Sequence, residues 1–136
     1  MTTGAKTIDG GSTVQDAANI MLRAGIGCLV VTKQGKPVGM VTEGDVSRAV
    51  GRKLAPEKTP VKSIMGKPLV TTTRDARVEE AAKLMASGGI KKLPVVEGGK
   101  LIGMVTQTDI IGVSYDLVTT LKEMVRARYR PSDFVP

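Results

Sequence analysis

Two copies of one pattern hold the residues best suited to chemistry: Thr42-Glu43-Gly44-Asp45 and Thr106-Gln107-Thr108-Asp109, each preceded by the same tripeptide Gly-Met-Val. An apolar strand that breaks into Thr-x-x-Asp and continues as a helix points a hydroxyl, a carboxylate and the unpaired N–H groups of a first helical turn in one direction. That arrangement could serve as a ligand site. The same residues also make a capping box, with Thr serving the amide three residues on and Asp favoured by the helix dipole. Spacing does not separate a ligand site from a cap. Duplication does not either, because a cap duplicates as readily as a site.

Other chemistries are narrowed by what the chain lacks. It has no His, which removes imidazole acid/base catalysis, Ser-His and Cys-His nucleophile pairs and most zinc and iron sites. The single Cys, Cys28, rules out an internal disulfide and lies in the apolar run Ile26 to Val31, as a small buried hydrophobe would. Gly35-Lys36 and Gly98-Gly99-Lys100 lack the upstream Gly and following Ser/Thr of a phosphate loop and read as hairpin turns. An enzyme would have to work through Asp45 or Asp109 without a visible partner. The formal net charge of +7 and pI near 9.8 favour anionic partners. Tyr115, Tyr129 and Phe134 all fall beyond the second motif, so the stacking platforms of single-strand nucleic-acid binders are missing.

The elements that must position the two motifs come from an internal repeat. A shift of 64 residues, the separation of Asp45 and Asp109, superposes Val14 on Val78, Ala17-Ala18 on Ala81-Ala82, Met21 on Met85, Gly25-Ile26 on Gly89-Ile90 and Leu29 on Leu93 without a gap. In the first unit Ser12-x-x-Gln15 predicts a capped helix from Thr13 to Ala24, stopped by Gly25. Cys28 to Thr32 predicts a strand buried on both faces, Pro37 to Thr42 its hairpin partner, and Asp45 to Val50 a second helix. Gly51 to Lys62, with its Lys, Arg and Pro residues, reads as a solvated connector, and Val61 to Met65 as a short helical turn. Leu69 to Thr73 is a β-prone lead-in to the second unit, matched at the start by a weakly specified strand around Ile8. The methionines Met21, Met40, Met85 and Met104 read as core. The last helix keeps apolar spacing to Val125 and gathers Lys122, Arg126, Arg128 and Arg130 at its end.

The predicted boundaries are residues 1–55 for the first unit, 56–68 for the connector, 69–130 for the second unit with its extended helix, and 131–136 for a loose tail. Each half is too small to bury its sheet well alone, so the fold expected is α+β, two βαββα-type units packed against each other about a pseudo-twofold axis. No apolar run approaches the roughly 18 residues of a membrane span. No signal-peptide core opens the chain either, so the expectation is a cytoplasmic protein not bound to membrane.

With both copies in register, the chain resembles the CBS-domain pair, or Bateman module. The resemblance rests on Thr13-Val14-Gln15-Asp16-Ala17-Ala18-x-x-Met21, on Gly89-Ile90-Lys91-Lys92-Leu93-Pro94-Val95-Val96 and on the two Gly-Met-Val-Thr-x-x-Asp stretches. It implies a tandem CBS-domain pair packed sheet to sheet, a regulatory, non-catalytic module and often a homodimer, that needs no cofactor and whose cleft senses AMP, ADP, ATP or S-adenosylmethionine on behalf of a regulated partner protein. Carried onto this chain, the ribose-binding carboxylates fall on Asp45 and Asp109, and phosphate or ribose contacts on Thr42 and Thr106. Arg48, Lys91 and Lys92 are candidates to neutralise phosphate. The adenine would be held by Ile26, Gly27 and Cys28 or by Ile90, Lys91, Lys92 and Pro94, with Ile8, Val70, Thr71 and Thr72 as lead-in walls. Gly27-Cys28 stands where the other copy has Lys91-Lys92, and Arg48 where it has Gly112, so the two clefts should differ in affinity for charged phosphates. The alternative function is a nucleic-acid-binding or scaffold subunit that uses the basic surface and the C-terminal helix.

Overall fold

The order of elements is β1 (Thr7–Asp9), α1 (Val14–Ala24), β2 (Cys28–Lys33), β3 (Lys36–Thr42) and α2 (Glu43–Gly51), then α3 (Val78–Gly88), β4 (Lys92–Glu97), β5 (Lys100–Thr106) and α4 (Gln107–Val113). The computed structural model describes residues 4–67 and 69–113, so the predicted continuation of the last helix, its basic end and the tail lie outside the described residues. The two helix–hairpin–helix units are the two copies of the repeat.

The first helix starts one residue later than Ser12-x-x-Gln15 suggested. Thr13 is the N-cap: its hydroxyl accepts from the Asp16 amide at 3.1 Å, and Asp16 Oδ2 accepts from the Thr13 amide at 3.0 Å. A carboxylate is a stronger acceptor than the Gln15 amide, and the Ser12 backbone is already engaged, by Asp9 on one side and Val61 on the other. Gly25 and Gly89 end α1 and α3 in the left-handed region, φ 65° and 62°.

β2 shows why its run of apolar residues is unbroken. Side chains alternate across a strand. Leu29 and Val31 face α1 and join Ala17, Met21 and Val41 in the core of the first unit. Cys28 and Val30 face the other way and meet Met104 of the second unit, with Met40 and Leu101 alongside. Leu29, Val30 and Val31 are fully buried, each worth about 1.5–3 kcal/mol of transfer free energy. The second unit packs Ala81, Met85 and Leu93 in the same manner. Both hairpins turn through two residues of positive φ, Gln34-Gly35 and Gly98-Gly99, as the predicted tight turns require.

β1 runs parallel to β2, and β2 pairs with β3 antiparallel; β4 and β5 form the matching hairpin. The lead-in to the second unit, expected to be a strand, makes a single bridge, Thr72 to Val95. The cause is Pro94. In the first unit the Val30 amide donates to the Lys6 carbonyl at 3.1 Å. The repeat puts Pro94 where Val30 stands, and proline has no N–H to give the equivalent carbonyl. Among the described residues the Thr72 amide to Pro94 carbonyl bond and the Val96 amide to Thr72 carbonyl bond remain, both 2.9 Å.

The segment read as a solvated connector is stitched to the first unit. Thr59 O accepts from the Val14 amide at 2.8 Å, and Val61, at the head of a 3-10 turn (Val61–Ser63), is fully buried in that unit's core. Met40 and Gly66 exchange backbone hydrogen bonds in both directions. The units then meet through their sheets, β3 against β5, which is the α+β, sheet-to-sheet pair expected from the repeat.

Candidate functional site

At the end of β3, Thr42 and Asp45 bind one another first. Asp45 Oδ2 accepts from the Thr42 amide at 2.9 Å and from the Thr42 hydroxyl at 3.0 Å, while Thr42 Oγ1 receives the Asp45 amide at 3.3 Å. Arg48, one turn on, donates to Asp45 Oδ1 at 2.7 Å. The capping box is therefore real, and Arg48 is held by the carboxylate of its own helix. A carboxylate offers about four acceptor positions, so these three bonds leave Asp45 with capacity for a hydroxyl donor. The second copy repeats the box: the Thr106 amide donates to Asp109 Oδ2 at 2.9 Å, and the Asp109 amide to Thr106 Oγ1 at 3.2 Å. The backbone hydrogen bond from Thr106 is the main reason that Asp109 titrates below its ordinary value, against a smaller opposing effect of desolvation.

Among the described residues two clefts open where the units meet, and each is built crosswise. The larger, about 400 Å³, joins Met40, Thr42, Glu43 and Gly44 of the first unit to Gly89, Ile90, Lys91 and Lys92 of the second, with Gly27 and Cys28 on its wall. The smaller, about 260 Å³, joins Ala5, Lys6, Ile26 and Cys28 of the first unit to Lys92, Met104 and Thr106 of the second. The larger lies within the 300–1,000 Å³ usual for small-molecule sites. Each Thr is thus completed by an apolar segment of the opposite unit, Gly89-Ile90 for Thr42 and Ile26 with Cys28 for Thr106, because β3 and β5 pack face to face and carry their C-terminal ends across the interface. Both walls are mostly apolar and carry two lysines each, Lys91 and Lys92 on the larger and Lys6 and Lys92 on the smaller. Cys28 and Lys92 are common to both clefts. Burial pushes the Cys28 thiol above its usual value, opposed in part by the Lys92 ammonium and its hydrogen bond.

Several residues assigned from the sequence stand elsewhere. Ile8 is buried in the first unit's own core, because its register in β1 turns it toward α1. Pro94 is fully buried and pairs with Met104 in the β4–β5 ladder, so it walls neither cleft. Val70 and Thr71 are exposed and line neither cleft. Thr72 and Asp109 line a third cavity of about 170 Å³ inside the second unit, with Val95, Val105 and Ile110. Asp45 flanks the larger cleft through Thr42 and Gly44 and does not line it.

Lys6, Met40, Glu43, Gly44 and Met104 line the clefts as well, beyond the residues that the sequence nominates. For Met40 and Met104 a signal existed: each stands two residues before the motif Thr, on the same face of its strand. Met104 is both a buried core residue and part of the wall of the smaller cleft.

Comparison with known proteins agrees with this architecture. The CBS domain family model matches twice, over residues 1–52 and 61–116. A CBS domain-containing protein of Bacillus subtilis is 33% identical over 110 residues, covering 81% of this chain and 79% of that protein. An uncharacterised protein of Methanopyrus kandleri is 39% identical over 122 residues; the match takes in 85% of this chain and 62% of the relative, so the chain spans less than two thirds of that protein. Among solved structures, an uncharacterised conserved protein from Pyrococcus horikoshii superposes with a TM-score of 0.72 at 31% identity, covering 84% of this chain and 87% of that one. A hexameric CBS-CP12 protein from bloom-forming cyanobacteria gives 0.73 at 31% identity, with coverage of 93% and 82%. The doubled family match, on a fold of two units joined sheet to sheet, identifies the chain as a member of the CBS domain family, a tandem CBS pair.

Proposed function

We propose that this CBS pair is a regulatory, non-catalytic module that binds an adenosine-containing ligand, AMP, ADP, ATP or S-adenosylmethionine, in the clefts between its units. The observation that carries the reading is the crosswise assembly of both clefts: a Thr at a helix start from one unit, an apolar segment containing Ile26 or Ile90 from the other, and lysine on the walls. Ile26 or Ile90, with Cys28, Met40 or Met104, offers an apolar slot for adenine. Asp45 and Asp109, which stand behind Thr42 and Thr106 in their capping boxes rather than on the cleft walls, are assigned to the ribose, and Thr42, Thr106 and Lys92 to the phosphate. Lys91 lies on the Thr42 cleft and Lys6 on the Thr106 cleft, where they set different phosphate preferences.

A ligand touching both units binds only while they hold the right relative position, and so it stabilises that arrangement over others. Such a bias is what a regulated partner or a second copy in a homodimer would read. Calorimetry with AMP, ADP, ATP and S-adenosylmethionine tests the proposal. Lys92→Met should weaken both clefts at once, because Lys92 lines both. Absence of heat with all four ligands at submillimolar concentration would overturn the reading.

A further inference from the structure

The duplication is imperfect at the point where the two clefts adjoin. Cys28 is the cross-strand neighbour of Thr42, and Lys92 is the cross-strand neighbour of Thr106. The 64-residue repeat makes Cys28 and Lys92 equivalent positions. They also touch, because the Lys92 ammonium donates a hydrogen bond to the Cys28 sulfur. Equivalent residues of two units that touch lie on the axis relating those units, so this pair stands at the middle of the interface. Both side chains accordingly line both clefts.

A faithful repeat would put the same residue on each side of that axis. Here one side holds a buried thiol and the other a half-buried ammonium. Lys91 lines only the larger of the two clefts and Lys6 only the smaller, so among the described residues Lys92 is the one cation common to both. Cys28 cannot stand in for it, because burial keeps the thiol neutral. The four-carbon stem of a lysine lets its ammonium turn to either side, yet it brings a single charge. A phosphate in one cleft draws that charge to itself. A phosphate arriving in the other then meets a thiol in place of a cation. Bridging would set two anions against one ammonium in a partly desolvated interface, where their repulsion is weakly screened.

We infer that Lys92 couples the two clefts, so that the pair holds one phosphate-bearing ligand tightly and admits a second only weakly. The coupling rests on the ligand reading proposed above and adds a rule of occupancy to it. Two ligands that prefer different clefts exclude one another without ever sharing a cleft, and by linkage each weakens the other by the same factor.

Calorimetry on the full chain with AMP, and with adenosine as the uncharged control, tests this. Lys91→Glu closes the larger cleft to phosphate and Lys6→Glu the smaller; both side chains are exposed, so the fold should persist. Each variant reports the affinity of the cleft left open, with Lys92 free to serve it. The second AMP should bind the wild-type chain about 10- to 150-fold more weakly than those two affinities predict for independent sites, the worth of one hydrogen bond to a charged group. One AMP per wild-type chain, with one also bound by each variant, is the limiting form of the same result. The gap should vanish with adenosine and in Lys92→Met. A wild-type isotherm reproduced by two independent affinities would overturn the coupling and leave the ligand reading standing. A gap that persists with adenosine or in Lys92→Met would place its origin outside Lys92 and overturn the coupling too. So would a single AMP per wild-type chain that one of the two variants fails to bind, since only one cleft would then be a site. Absence of AMP binding throughout would also overturn the coupling, and the ligand reading falls with it only when ADP, ATP and S-adenosylmethionine fail as well.

Discussion

Asp16 and Asp45 form a matched pair that separates capping from binding within one molecule. Each is the third residue of a helix capped by Thr, and each accepts from that Thr amide, at 3.0 Å and 2.9 Å. Asp16 lines neither interfacial cleft, whereas Asp45 sits behind Thr42 and Gly44 of the larger one. Replacing either by Ala removes one side of a capping box, at about 1 kcal/mol. Asp45→Ala also loses the pair with Arg48, a side chain 60% exposed, which adds only about 0.3–0.5 kcal/mol. For a chain of 136 residues, unfolding entropy of about 2.1 cal/mol/K per residue converts each kcal/mol into about 3–4 °C of Tm. The two variants should therefore melt within about 2 °C of each other. Their affinities should diverge. A hydrogen bond to a charged group is worth about 1.5–3 kcal/mol, so Asp45→Ala should weaken nucleotide binding by about 10- to 150-fold. Asp16→Ala should stay within about twofold of wild type, since additivity holds between distant sites. Isothermal calorimetry well below both melting temperatures makes the comparison. Equal affinity in the two variants would refute the ribose role and leave Asp45 as a cap alone.

Asp109 gives a pH dependence with a definite sign. Its folded pKa lies below the ordinary 3.8, so its contribution to stability is complete above that value and is lost as pH falls through the folded pKa. A plot of Tm against pH should fall on the acid side below about pH 4, and Asp109→Asn should flatten that limb; an unchanged limb would remove the Thr106–Asp109 bond as its origin. Gly39→Ala tests the seating of the connector. A Cβ there would stand 2.9 Å from the Gly66 carbonyl oxygen and against Met65, so the 61–66 segment must shift. The expected cost is about 1–3 kcal/mol, read as a lower urea midpoint at unchanged m-value. An unmoved midpoint would show that the segment adapts freely.

Much of the fold is legible in the chain because the repeat tests every local reading twice. Gly25 and Gly89 mark helix ends, Gln34-Gly35 and Gly98-Gly99 mark hairpins, and the unbroken Cys28–Val31 run announces a strand buried on both faces. Local chemistry specifies these features, so a local reading recovers them. The misplaced cap at Ser12 and the shortened lead-in strand at Pro94 were also written in the chain, in the acceptor strength of Asp16 and the missing N–H of proline.

The site is a different matter. The Thr-x-x-Asp boxes are visible, but Ile26-Gly27-Cys28 and Ile90-Lys91-Lys92 are equivalent under the repeat, so nothing local says which segment completes which box. Ile8, Pro94 and Val70 looked like cleft walls because a strand residue's face depends on register, and register belongs to the pairing rather than to the residue. The amino-acid sequence determined the two halves and their capped helices through propensity, turn chemistry and periodicity. The crossing of β3 over β5, which gives each Thr the opposite unit's apolar segment and puts Cys28 and Lys92 on both clefts, came from burying Cys28, Val30 and Met104 against one another. That long-range burial has no counterpart in any single stretch of the chain.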